Sequence, residues 1–451
     1  MSTQNLERSF GAAPAASARL ERRVLKGCLE TLKSVPDPRI DRRKRHRLSD
    51  ILAIAVLTYM SGGDGFRDME RYGRKHEARL REFLELENGV PSHDTFRRVL
   101  STLRPAAFGV CVRLWQRAAA GRLGGVCVSL DGKAVRRACA KGEGAPVVET
   151  AWADGADVPL GEVRVASKEN EIGAIPKLLS TLALEGAVVT VDAIGCQKEI
   201  ARAVRAAKAH YLLPLKGNQP TMRAEVLMFM EDLVASGAKS LTFSRRVDKG
   251  HGRVEVRRVW HSSDVAWFAD RAQWRGLAGF VMVETVRSEG GVEGKPERRC
   301  FITSLGADAK AFRKLVRGHW GVENRLHWVL DVVFLEDQCR ARTGHAPENC
   351  SALRKIALML LRRNAIGGMG VGPMRKECVW DFSSAKKVFL GVKGRRRPRR
   401  ESRITPFSHR PRSGWSANPG TCPQGDRRAG MAVRRKSRNP VPPLQGTFGS
   451  F

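Results

Sequence analysis

Two short apolar runs, each ending at an aspartate, constrain this chain more than any other feature. GGVCVSLDG (124–132) and GAVVTVDA (186–193) read as buried strands, because a brief run of β-branched and apolar residues bounded by glycine suits a strand better than a helix. VVETAWAD (147–154) and LGEVRVAS (160–167) read as two further strands, NEIGAIPKLLSTLAL (170–184) and CQKEIARAVRAAKA (196–209) as amphipathic helices, and HYLLPL (210–215) as another strand. Three strands, helix, strand, helix, strand is the order of a mixed α/β sheet, not the strict βαβ repeat of a dinucleotide-binding domain. No GxGxxG or GxxxxGK[ST] follows any of these strands, so nucleotide binding has no support.

The rest of the chain is organised around that sheet. With 451 residues, two or three domains are expected. Residues 1–30 read as a flexible N-terminus. Residues 31–121 read as a small helical domain built on RLSDILAIAVLTYMSG, FRDMERYGRKHEARLREFLEL, SHDTFRRVLSTL and AAFGVCVRLWQRAAAG. Ser92 suits an N-cap, with Thr95 at N3, and the helix it opens turns Arg97 and Arg98 outward. That helix could read DNA or simply cover a packed bundle. Residues 122–368 form the α/β unit, interrupted at about 222–305 by a β-rich insertion with RVEVRRVW, GFVMVETV and RRCFITSL. KAFRKLVRGHWGVENRLHWVLDVVF and ENCSALRKIALMLLRRNA then read as helices. Residues 369–451 read as a disordered, basic, low-complexity tail.

Charge points to the partner. The chain carries 80 Lys+Arg against 46 Asp+Glu, a net charge of +34. Residues 391–451 contribute 15 basic and 2 acidic side chains, so 65 basic and 44 acidic remain in the body, which is basic without its tail. A polyanion such as double-stranded DNA is the expected partner. The longest apolar stretch, ILAIAVLTYM, is too short to span a bilayer, and charges at Glu7, Arg8, Glu21, Arg22 and Arg23 replace the apolar core of a signal peptide. A cytoplasmic, nucleoid-associated chain without a membrane segment is expected. Ten cysteines without a CxxC pair argue against a zinc ribbon or disulfide scaffold and read as reduced, mostly buried thiols.

The chemistry is expected at Asp131 and Asp192. Strand ends line the ligand crevice of an α/β sheet, and on neighbouring strands the two carboxylates would converge on one divalent cation. Glu323, on a packed helix, would complete a site for two ions. Either aspartate alone is an ordinary turn residue, and Asp331, Glu336 and Asp337 are rival third ligands. Oxygen donors suit Mg²⁺ or Mn²⁺. Lys216, Asn218 and Gln219 follow the strand HYLLPL at the same sheet end, where they could hold phosphate oxygens or form only a turn. His319, Glu323 and His327 repeat every four residues; zinc is disfavoured because one helix face offers three ligands at most. Trp320 and Trp328 read as core, with stacking on an extruded base as the other use.

Six ordered blocks, VSLDGKAVR (128–136), VASKENEIGAIPKLL (165–179), VVTVDAIGCQKEIA (188–201), YLLPLKGNQP (211–220), DKGHGRVEVR (248–257) and RGHWGVENRLHWVLDVVFLED (317–337), together resemble the H-repeat-associated insertion-sequence transposases of the DDE class. VPDPRIDRRKRHRLSDILAIAVL and GVPSHDTFRRVL resemble that family's N-terminal associated domain, so the likeness spans about residues 30–365. It implies a ribonuclease-H-like catalytic core, α/β with a β-rich insertion, in which Asp131, Asp192 and Glu323 hold two Mg²⁺ or Mn²⁺ ions. Lys133, Lys216, Asn218, Gln219, Arg317 and His319 are the candidate DNA contacts. Wider relatives set Tyr, Arg, Glu and Lys around the glutamate; the corresponding residues here are Val316, His319, Glu323 and Leu330. The implied activity is binding of terminal inverted repeats, metal-dependent strand cleavage and strand transfer. Cutting two ends in concert suggests a homodimer on DNA. The rivals are an inactive or domesticated DNA-binding relative, favoured by a tail unlike the family's closing segment, and a structure-selective nuclease on the same fold.

Overall fold

A computed structural model of the chain describes residues 27–134, 147–165, 171–250 and 252–391. The expectations of a flexible N-terminus and a disordered tail therefore fall largely outside the described residues.

Six helices open the described chain: α1 (Cys28–Lys33), α2 (Leu48–Met60), α3 (Phe66–Lys75), α4 (Glu77–Leu80), α5 (His93–Thr102) and α6 (Pro105–Ala120). α2 is apolar on every side and is buried along almost its whole length, as a helix without a polar face must be. Its one acid, Asp50, accepts a hydrogen bond from the Leu86 N–H at 3.0 Å. The run from Phe66 that reads as one long helix breaks at His76. The break lets Leu80, Leu84 and Leu86 all reach the core. Ser92 caps α5 through the Thr95 N–H, and Arg97 and Arg98 are exposed, as the sequence predicts.

The remaining chain builds one ten-stranded mixed sheet. Its strands are β1 (Cys127–Ala134), β2 (Val147–Ala153), β3 (Val158–Val165), β4 (Val188–Thr190), β5 (His210–Leu215), β6 (Thr242–Gly250), β7 (Arg253–Ser262), β8 (Gly279–Glu289), β9 (Val292–Glu293) and β10 (Glu297–Thr303). They lie in the order β3–β2–β1–β4–β5–β10–β8–β7–β6, with β9 on β8. β1, β4 and β5 run parallel and every other pair is antiparallel. The parallel steps need crossovers, supplied by α7 (Glu171–Ser180) and α8 (Lys198–Ala206).

The segment expected as a β-rich insertion opens with a helix, α9 (Pro220–Ala235), and then supplies β6–β10. These strands extend the central sheet, because β10 pairs with β5. After them come α10 (Ala309–His319), a π-helical stretch (Val322–His327), α11 (Trp328–Val332) and α12 (Ala346–Arg363). The chain from 369, expected to be low-complexity tail, instead carries α13 (Val371–Trp380) and α14 (Phe382–Leu390). Phe382, Ala385, Val388 and Phe389 bury one face of α14, an i, i+3, i+6, i+7 apolar pattern within a basic-looking sequence.

Side-chain alternation along β1 and β4 sorts two cores. Cys127 and Val188 join Leu212, Val281, Val283, Phe301, Phe312 and Leu315 in a cluster beneath α10. Val128, Leu130, Val189 and Val191 belong to the larger core, which also contains the N-terminal helices. Asp131 and Asp192 follow the first phase, each at an even spacing from Cys127 or Val188, on the α10 side. Eight cysteines are described; all are free and all but Cys339 are buried. Among the described residues no helix is long and apolar enough to cross a membrane.

Candidate active site

Ser129 of β1 stands opposite Thr190 of β4 in the parallel ladder. Asp131 and Asp192 each lie two residues further on, at matching points of strands whose backbones are about 4.8 Å apart in a sheet. The strand expected to end at Asp131 instead runs on to Ala134, because β2 continues to pair with it beyond the point where β4 stops; Asp192 has just left β4 but keeps an extended backbone. Asp131 is mostly covered, whereas the Asp192 side chain is 66% exposed. The parallel order thus brings together two carboxylates that are 61 residues apart in the chain.

The helix that crosses β1 and β4 here is held close by glycine. A Cβ on Gly318 would lie 3.0 Å from Cys127 Cβ, and one on Gly321 only 2.4 Å from Asp154 Oδ1. Ser129 Oγ donates to the Gly318 carbonyl at 3.3 Å. His319 Nδ1 lies 2.9 Å from Thr190 Oγ1, and its Nε2 lies 3.7 Å from Asp192 Oδ1. Further along, His327 Nδ1 lies 3.1 Å from Asp131 Oδ2, and the buried His327 Nε2 has no hydrogen-bond partner among the described residues. One histidine therefore addresses each aspartate.

Glu323 sits between these histidines, exposed and without an ion pair among the described residues. Its turn is π-helical, a rare geometry that concentrates at functional sites. Trp320 and Trp328, expected in the core, are instead 45% and 57% exposed. Leu326, Val329 and Leu330 fill the buried stripe, leaving both indoles on the solvent face with Glu323.

The expected DNA contacts divide. Lys133, two residues beyond Asp131 on the same strand face, is buried in an acidic pocket rather than offered to solvent. Its Nζ lies 2.5 Å from Asp331 Oδ1, 2.8 Å from Glu336 Oε2 and 3.6 Å from Asp337 Oδ1. Burial would raise the Glu336 carboxyl, but Lys133, Lys355 and Arg354 outweigh it and hold it at about 2. Asp331, Glu336 and Asp337 are thus committed to this lysine. The Asn218 amide donates to the Ala193 carbonyl, and Gln219 Nε2 donates to Cys196 O at 3.1 Å. Both brace the loop after Asp192. Lys216 is exposed at the end of β5. Arg317 is exposed and pairs with Asp248 at 2.9 Å.

Among the described residues no three His, Cys, Asp or Glu side chains gather closely enough to hold a metal ion. By donor chemistry, hard carboxylate oxygens on adjacent strands, just past their last parallel rung, fit Mg²⁺ or Mn²⁺. The zinc alternative does not fit, because His319 and His327 each turn to a different aspartate.

Comparison with known proteins decides the family. A model described as "Transposase DDE domain" matches residues 149–360, and one described as "DDE_Tnp_1-associated" matches 29–116. The H repeat-associated putative transposase YhhI of Escherichia coli K12 is 33% identical over 375 residues, covering 81% of this chain and 98% of its own length. The chain belongs to the DDE transposase family. An uncharacterized protein from the dhlA 3′ region of Xanthobacter autotrophicus is 42% identical over 279 residues, 61% of this chain and 93% of that protein. The DDE-domain match includes Asp192 and Glu323, whereas β1 with Asp131 precedes it. Sequence reasoning about this transposase chain missed the roles of Thr190, His327, Gly318 and Gly321. Thr190 was detectable in principle, since in VTVD it lies two residues before the aspartate and so shares its face.

Proposed function

We propose that the protein is a DNA transposase which binds the terminal inverted repeats of its element, hydrolyses a phosphodiester at each end and directs the freed 3′-hydroxyl into target DNA. One observation carries the reading: Asp131 and Asp192 each lie two residues beyond the last parallel rung, Ser129 opposite Thr190, and each is faced by a histidine from the helix that bears Glu323. The sheet half β3–β2–β1–β4–β5, three antiparallel strands followed by two parallel crossovers, supports a ribonuclease-H-like core.

Asp131, Asp192 and Glu323 would hold the ions. Divalent magnesium or manganese supplies a polarised nucleophile and charge stabilisation at the leaving oxygen. The chain's other residues orient. Thr190 holds His319, His327 aligns Asp131, and Asn218 with Gln219 stiffens the loop after Asp192. Lys216 offers an exposed ammonium for a phosphate oxygen. A homodimer on DNA follows from the need to cut two ends together, and the substrate puts the protein at the nucleoid.

Full-length protein, Mg²⁺ and DNA carrying the element's ends should give nicks at those ends, and Asp192→Ala should abolish them. Equal nicking by the variant defeats the assignment. A second reading, a relative that binds ends without cutting, is favoured by Glu323, which lies on the exposed face of its helix with Trp320 and Trp328. A relative of E. coli K12 named "Inactive transposase YbfQ" is 39% identical over 77 residues, 17% of this chain. End binding by the unaltered protein with no nicking in Mg²⁺ or Mn²⁺ would establish that reading.

A further inference from the structure

The hairpin of β6 and β7 opposes arginine to arginine in two consecutive rungs: Arg245 with Arg258, and Arg246 with Arg257. Like charges directly opposite across a ladder are destabilising, and successive rungs point to opposite faces of the sheet. The Arg246–Arg257 rung lies on the α10 side. There Arg313 Nε donates to Ser244 Oγ at 3.0 Å and Arg317 Nη1 donates to Asp248 Oδ2 at 2.9 Å. Arg299 of β10 shares that face, since it stands opposite Val283, which stands opposite Val259, two residues from Arg257.

Guanidinium groups outnumber carboxylates on this face. Asp248 is divided between Arg246 and Arg317, Glu255 between Arg257 and Arg287, and Glu297 lies 3.5 Å from Arg299 Nε. Arg257 Nε is buried and makes no hydrogen bond, and Arg299 Nε, also buried, has only the ion pair with Glu297, without hydrogen-bond geometry. Burial lowers the pKa of Arg257; Glu255 and Asp248 oppose the shift, while the charges of Arg317 and Arg299 add to it. A crowded, half-covered set of guanidiniums that shares its few carboxylates lacks an anion. Its position says which. α10 crosses this face and ends at His319, beside Asp192, so a duplex seated at the aspartates would carry its backbone over these arginines.

We propose that the α10-side face of the β6–β7–β8–β10 sheet is a clamp for the phosphate backbone of the duplex flanking the cleaved bond, with Arg257 and Arg299 as its innermost donors. This placement rests on reading Asp131 and Asp192 as the cutting centre.

The test is fluorescence polarisation of full-length protein with labelled duplexes, in EDTA so that no cutting occurs, over a salt series. Arg257→Gln with Arg299→Gln should weaken binding at least tenfold on every duplex. Each lost phosphate contact lowers the slope of log affinity against log salt by about 0.9, so the double variant should lose about two. Arg246→Gln with Arg317→Gln, at exposed positions that leave folding intact, should lower the slope likewise. Arg202→Gln, on α8 away from this face, should leave it unchanged. An unaltered slope in both double variants, folded by circular dichroism, overturns the clamp, as does a loss confined to one duplex sequence, which would mean base reading. Because no nicking is read, loss of slope alongside full nicking by Asp192→Ala would sink the cutting centre and leave this face a DNA-binding surface.

Discussion

A methyl group on Gly318 would meet Cys127 Cβ at 3.0 Å, Cys127 Sγ at 3.1 Å and Asp154 Oδ2 at 3.2 Å. Neither the β1 backbone nor its first side-chain carbon can swing aside, so Gly318→Ala should lift the end of α10 and cost roughly 1–3 kcal/mol, as overpacking does. A urea titration measures it, and end nicking should fall with it because His319 follows directly. An alanine variant as stable and active as the parent would mean that this contact is slack. Lys133 offers a second test. Removing one member of a buried ion pair costs about 3–5 kcal/mol, and Lys133→Met would leave Asp331, Glu336 and Asp337 facing one another. Glu336 has its folded carboxyl depressed from its ordinary 4.5 to about 2. Its unfolded form therefore takes up the proton first. The stabilisation it gives is whole above about pH 4.5 and drains as pH falls towards 2. With the lysine gone the depression shrinks, so the acid-unfolding midpoint of Lys133→Met should move to higher pH; an unmoved midpoint would show that Lys355 and Arg354 suffice.

At the level of elements, the stretch from Ala309 to Val332 holds the site in register. Its apolar residues repeat as an α-helix would, and the sequence reads as one long helix. The wider π turn at Val322–His327 left no trace in that pattern, because a single wide turn displaces residues only locally. Yet it sets which side chains reach the strand ends. Deleting exposed Asn324 should tighten the turn and rotate His327 by about 100° relative to His319, one residue of an α-helix. Asp131 would lose its histidine, and nicking should vanish while end binding in EDTA persists. Full nicking by the deletion variant would refute a role for the turn. The exposed tryptophans belong to the same lesson: large aromatic side chains read as core by type, and only the placement of the helix puts Trp320 and Trp328 outside.

Over the whole molecule, the N-terminal helices and the sheet share one continuous core, although the sequence reads as two domains. α12 is the joint. Asn349 Nδ2 donates to the carbonyls of Leu100 and Leu103, both at 2.8 Å. The buried Arg354 guanidinium lies over the Tyr59 ring at 4.5 Å, and Lys355 Nζ donates to Thr150 Oγ1 of β2 at 3.0 Å. One helix thus binds α5, α2 and the sheet. Thermal unfolding should be a single transition, with tryptophan fluorescence and far-ultraviolet circular dichroism superimposing. Two separated transitions would show that the helical region folds on its own.

By itself the sequence determined much of the local grammar: the strands of the central sheet, the Ser92 cap, the basic character of the body, and the two aspartates that follow apolar runs on neighbouring strands. Each of these depends on neighbours within a few residues, through alternation, periodicity and capping. Tertiary structure alone decided that β10 pairs with β5 and extends the sheet, that Lys133 faces inward to acids, that Asn218 and Gln219 brace a loop, and that His327 meets Asp131. Those outcomes depend on groups brought together from distant parts of the chain. Hydrogen-bond geometry and charge desolvation act there only after folding has set the partners side by side, so no local pattern records them.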